Sequence, residues 1–172
     1  MRLRNIDEAT LLQAFGPEAK EMIADYDCDF YMINNELAST MGFNPDFIAD
    51  VAMRYSDIEN AQVLTMVINY EAVVAKLSFL EQRHLPTVQH NLRAALIHES
   101  VHVKQIRDGR LVLNGNVVAW EGVDYQSNDC VGAAYYRTPW EVEAYIAQLT
   151  YQYGITSEEA IVMLEDTARK AA

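Results

Sequence analysis

The strongest constraint in the chain lies in Ala95-Leu96-Ile97-His98-Glu99-Ser100-Val101-His102-Val103, which carries His-Glu-x-x-His inside an apolar, helix-compatible run. Residues four apart share one face of a helix, so His98 and His102 can each offer an imidazole nitrogen to one ion, at about 2.0–2.1 Å if it is zinc. Glu99 then stands beside the ion rather than on it. From there it can take a proton from a water whose pKa the ion lowers to about 7, and later deliver that proton to a leaving amine. The apolar or small residues Leu92, Ala95, Leu96, Val103 and Ile106 recur with the period of a packed helix, which would hold the motif rigidly. The expectation is a zinc-dependent hydrolase.

A chain of 172 residues, 51% hydrophobic and 22% charged, has the length and composition of one globular domain. We therefore expect a single domain over 1–172, with a mostly helical part at 1–60 and the metal-binding part at 61–172. The formal net charge of -12 opposes a general attraction to nucleic-acid phosphates or anionic membranes and is more compatible with a basic partner; the expected partner, a peptide or protein substrate, follows from the hydrolase motif. Met1-Arg2-Leu3-Arg4-Asn5-Ile6-Asp7-Glu8 runs at once into acidic residues with no apolar segment behind it, unlike a secretory signal. No apolar stretch approaches the roughly 20 residues needed to span a bilayer. Cys28 and Cys130 are too few and too far apart for a zinc ribbon or a disulfide framework, and read as reduced thiols of a cytoplasmic protein.

From about Asp7 to Asp25 the chain reads as short helices broken near Gly16-Pro17, with Leu11, Leu12, Phe15, Met22 and Ile23 buried. Asn44-Pro45-Asp46 reads as a helix start, followed by Phe47, Ile48, Val51 and Ala52 at helical spacing. Val63–Ile68 is rich in β-branched residues and reads as a strand, with helical character from Glu71 to Leu80. Pro86 opens a helix that continues through Gln105 and stops at Arg107-Asp108-Gly109. Leu111–Leu113 and Asn116–Trp120 flank Asn114-Gly115 as a β-hairpin with a type I′ turn, and a long loop follows from Glu121 to Thr138. Pro139 opens a further helix with Val142, Tyr145, Ile146 and Leu149 on one stripe, ended by Gly154. A last helix is capped by Thr156 or Ser157.

A catalytic zinc ion normally takes three protein ligands and leaves one position open, so two histidines leave one donor to find. The best source is Pro139-Trp140-Glu141-Val142-Glu143-Ala144-Tyr145. With the paired-histidine helix upstream, this segment resembles the gluzincin branch of the zincin metallopeptidases. There a second helix carries a glutamate ligand, often with a small residue three positions later. The resemblance covers about Pro86 to Tyr153 and implies Glu141 as the third ligand, with Ala144 as the small residue. Where several such families have Asp or Asn four positions after the glutamate, this chain has Tyr145, a departure that leaves open which residue orients the ring of His98 or His102.

Glu143 is the rival to Glu141, because a two-residue step turns a helix by about 200° and only one of the pair can face the ion. Glu121 is a weaker alternative, and His84 and His90 read as surface or helix-start residues. Tyr125, Tyr136, Arg137 and Tyr145 flank the motif as candidate donors for a tetrahedral oxyanion, with packing as the alternative role for each tyrosine. The resulting expectation is an α+β, zincin-like domain with a metal-bearing helix, a β-hairpin and a second ligand-bearing helix. His98, His102 and Glu141 would bind Zn²⁺ and Glu99 would act as general base. The hairpin or Val63–Ile68 could align a peptide by strand addition. The other reading is a zinc-binding structural or regulatory interaction domain without proteolytic activity, of the kind a viral or bacterial accessory factor would supply.

Overall fold

The computed structural model describes residues 1–23, 27–44, 47–56, 59–114, 117–126 and 130–171, and the architecture is mixed α+β. The chain divides into two compact units, Met1–Glu99 and Ser100–Ala172. The dividing line falls inside one continuous helix.

The first unit runs through β1 (Arg2–Leu3), α1 (Glu8–Phe15), α2 (Ala19–Ile23), β2 (Asp29–Ile33), α3 (Asn35–Thr40), β3 (Ala49–Ser56), β4 (Ala61–Asn69) and α4 (Tyr70–Ala75). A 3-10 turn at Glu81–Arg83 then leads into α5 (Leu85–Arg107). The sheet order is β1-β2-β4-β3, with β1, β2 and β4 parallel and β3 antiparallel to β4. Asp7 caps α1 by accepting from the Thr10 N–H, and the chain breaks at Gly16 as expected, where φ is +83°. Leu11 and Phe15 are buried, Leu12 and Met22 half-buried, and Phe15 meets Phe30 of β2 edge to face at 5.9 Å. At the far ends of β2 and β4, the Asn34 and Asn69 side chains accept from Leu37 and Ala72 N–H groups and start α3 and α4. The start of α5 is held to the preceding helices by Gln89 Nε2 donating to the Gln13 carbonyl and by an Arg93–Glu18 ion pair.

Two expectations for this unit are corrected. The segment with Phe47, Ile48, Val51 and Ala52 does not continue as a helix. From Ala49 it forms β3, paired residue for residue with β4 from Ala49↔Ile68 to Ser56↔Ala61. That pairing is a non-local contact that outweighs short-range apolar spacing. The proposed helix start at Pro45-Asp46 lies outside the described residues. Val63–Ile68 is indeed strand, but β4 sits between β2 and β3 with both edges paired, so it cannot align a peptide by strand addition.

The second unit contains the end of α5, then β5 (Leu111–Asn114), β6 (Val117–Trp120) and β7 (Val123–Gln126), a 3-10 segment at Gly132–Arg137, α6 (Pro139–Tyr153) and α7 (Ser157–Lys170). β5 and β6 form the expected hairpin, but Asn114, expected in the turn with Gly115, is the last residue of β5 and pairs with Val117, and residues 115 and 116 lie outside the described residues. The segment read as a loop after Trp120 instead carries β7 and the 3-10 turn. Its tight connection is Glu121-Gly122, both at positive φ (50° and 83°), as a type I′ hairpin requires. Leu111, Trp120 and Trp140 make the local core, with Ile106, Leu113, Val118, Tyr125 and Cys130 packed against it. α7 opens with a full capping box between Thr156 and Glu159 and buries Ala160, Leu164 and Ala168 at four-residue spacing. Among the described residues no helix is long and apolar enough to cross a membrane.

Candidate metal centre

On α5, Leu92, Leu96 and Val103 are buried as expected, and His98, Glu99 and His102 are buried with them. On α6 the stripe Val142, Tyr145, Ile146 and Leu149 is only half-buried; the deepest residues are Trp140, Glu141 and Ala144. This helix therefore turns a carboxylate inward. Ala144, one turn on, is fully buried.

His98, His102 and Glu141 come together, each offering one donor atom, with these atoms all within 4.8 Å of one another. His102 Nε2 and Glu141 Oε1 are 3.4 Å apart. Two ligands at about 2.0–2.1 Å from a tetrahedral ion are separated by about 3.3–3.4 Å, so this pair is already spaced like one edge of a zinc tetrahedron. The donor set, two imidazoles and a carboxylate, is also one that zinc takes in catalytic sites. The group can hold a metal ion.

Glu143 is elsewhere. Its carboxylate accepts from Arg110 Nη2 at 2.6 Å and Nη1 at 3.0 Å, and from Gln105 Nε2 at 3.1 Å. The Arg110 bond is the main cause of a Glu143 pKa below the usual range; the Gln105 bond adds to it and partial burial opposes it. Glu121 also pairs with Arg110, Nε to Oε1 at 2.9 Å, and the guanidinium stacks on Trp120 at 4.4 Å. Arg110 is aimed by the end of α5. Gly109, at φ +71°, permits a Schellman closure in which Gly109 N–H donates to the Ile106 carbonyl and Arg110 N–H to that of Gln105.

Support for the His102 ring comes from Gln105, which the sequence reading missed. His102 Nδ1 lies 2.9 Å from Gln105 Oε1, and Gln105 Nε2 donates to the Trp140 carbonyl at 3.1 Å as well as to Glu143. The available signal was position: Gln105 stands three residues after His102 on the same helix face.

The remaining residues singled out by sequence are dispersed. His84 Nδ1 contacts Thr87 Oγ1 at 2.7 Å at the start of α5, and neither His84 nor His90 joins the metal-binding group. Tyr125 meets Trp140 edge to face at 5.1 Å, whereas Tyr136 and Tyr145 cluster with Tyr135. Arg137 is exposed.

Comparison with protein-family models, curated proteins and solved structures finds no match to the chain.

Proposed function

We propose that the protein is a zinc-dependent peptidase in which His98, His102 and Glu141 hold the ion and Glu99 is the general base. The observation that carries the reading is the meeting of those three donors, with Glu99 next to His98 on the same helix. When bound, zinc would acidify a water and polarise a scissile carbonyl. Glu99 would take the proton of that water and return it to the leaving amine, while burial of the surrounding residues strengthens each charge interaction. An extended substrate could pair along an open sheet edge. β5 of the hairpin has one, and among the described residues β3 pairs only with β4.

A second reading, an ion held for structure or partner binding without turnover, is favoured by burial alone. His98, Glu99, His102 and Glu141 keep only 6%, 5%, 7% and 5% of their surface. The two readings separate on Glu99→Gln, assayed for zinc content and for cleavage of a broad peptide library. The peptidase reading expects about one zinc per chain in both proteins and a rate loss of about 10²–10⁴-fold in the variant. Equal activity in the two proteins removes Glu99 from the mechanism. Zinc retention with no cleavage by the wild type favours the second reading.

A further inference from the structure

We infer that Gln105 is a positioning residue that fixes the His102 ring in one tautomer before any metal arrives. The inference rests on reading His98, His102 and Glu141 as the metal centre. Gln105 is 1% exposed, so its amide must satisfy its hydrogen bonds within the protein. The amide orientation follows from its neighbours. Nε2 faces the Trp140 carbonyl and the Glu143 carboxylate, neither of which can donate, and the reverse orientation would set acceptor against acceptor at both contacts.

Oε1 therefore faces His102 and can only accept. A neutral His102 that donates to this oxygen carries its proton on Nδ1, which leaves Nε2, 3.4 Å from Glu141 Oε1, unprotonated. That is the nitrogen a metal ion needs. Glu143 is in turn held by both terminal nitrogens of Arg110. The order Arg110, Glu143, Gln105, His102 thus transmits a fixed donor direction from the Schellman turn after α5 to the ligand ring. The same amide ties α5 to the first turn of α6, where Glu141 follows Trp140 directly.

The test uses the metal-free full chain with ¹⁵N-labelled histidine, measured by NMR at a pH where the ring is neutral, and then zinc affinity by chelator competition. The wild type should show His102 as the Nδ1–H tautomer. Gln105→Leu should shift the ring toward a mixture and weaken zinc binding by about 10–100-fold, the usual cost of losing a ligand's supporting hydrogen bond. An Nε2–H tautomer in the wild type overturns the inference, whether or not the variant folds. So does a folded Gln105→Leu protein whose zinc affinity changes less than about twofold. If the wild type shows the Nδ1–H tautomer but takes up no zinc, the orientation of the ring is supported and the metal-centre reading alone falls.

Discussion

Asp29 in the first unit and Gln105 in the second are both almost completely buried, and the two are satisfied in opposite ways. In the first unit Asp29, at the start of β2, is 1% exposed and both its oxygens are taken up by arginines from the N-terminal strand region: Oδ1 by Arg2 Nε and Oδ2 by Arg4 Nε, each at 2.7 Å. Glu59 accepts from the same two guanidinium groups. In the second unit Gln105, also 1% exposed, is uncharged, and its bonds run to a backbone carbonyl, a carboxylate and an imidazole. The Asp29 cluster closes on itself and staples β1 to β2. The Gln105 chain ends on a ring whose Nε2 lies 3.4 Å from a second carboxylate, in a group that could hold a metal ion.

The sharpest way to break this contrast is to remove the donors. His98→Ala and His102→Ala should each lose most of the bound zinc by elemental analysis, and Glu141→Ala should weaken retention more than tenfold. Glu143→Ala should cost only a few-fold, because the Trp140 carbonyl still anchors Gln105. Greater zinc loss from Glu143→Ala than from Glu141→Ala would mean that the ligand assignment is reversed.

Asp29→Ala should leave zinc content unchanged and lower stability by about 1–3 kcal/mol, read as a lower urea midpoint, since two arginines lose a buried charged acceptor. Zinc loss in that variant would show that the two networks are not separate in function.

The smallest effect concerns Cys28, which is fully buried and whose thiol pKa burial pushes up to about 11 from 9.0. The folded pKa is raised, so the contribution to stability is complete below the unfolded value and declines as pH rises between about 9 and about 11. Cys28→Ala should flatten that alkaline decline. At pH 8 a thiol reagent should label half-buried Cys130 well before Cys28.

How much of this could be read from the sequence depended on how local each contact is. α5, α6 and α7 carry their own signals: Pro86 and Pro139 at first turns, Gly109 and Gly154 at the ends, and Thr156 as a cap. β4 and the β5–β6 hairpin were legible from their β-branched runs, although Asn114, read as part of the turn, belongs to β5. β1 and β2 were not, because their parallel partners lie tens of residues away and are joined by no recognisable turn, and β3, although it pairs with the next strand, was hidden by the helical spacing of Phe47, Ile48, Val51 and Ala52. At the site, the His98–His102 pair follows from helical spacing alone. Glu141 was reached through a family resemblance, with Glu143 left as its rival. Gln105 has no motif of its own, and Arg110 reaches Glu143 only through a helix-end geometry and packing that exist once the chain has folded.

β3 has a bearing on how the protein behaves in concentrated solution. It lies at the end of its sheet, so the backbone groups on its outer side form a ready template for a strand from another molecule. Asp50 and Arg54 place opposite charges on that strand, and Arg54 also lies over the Phe43 ring at 4.9 Å, keeping the edge polar. With the chain's overall charge of -12, these two side chains and general repulsion together discourage edge-to-edge pairing between molecules. Both weaken as salt shortens the Debye length from about 10 Å at 0.1 M to about 3 Å at 1 M. Colloidal stability at high ionic strength thus depends on a strand far in sequence from the histidine pair.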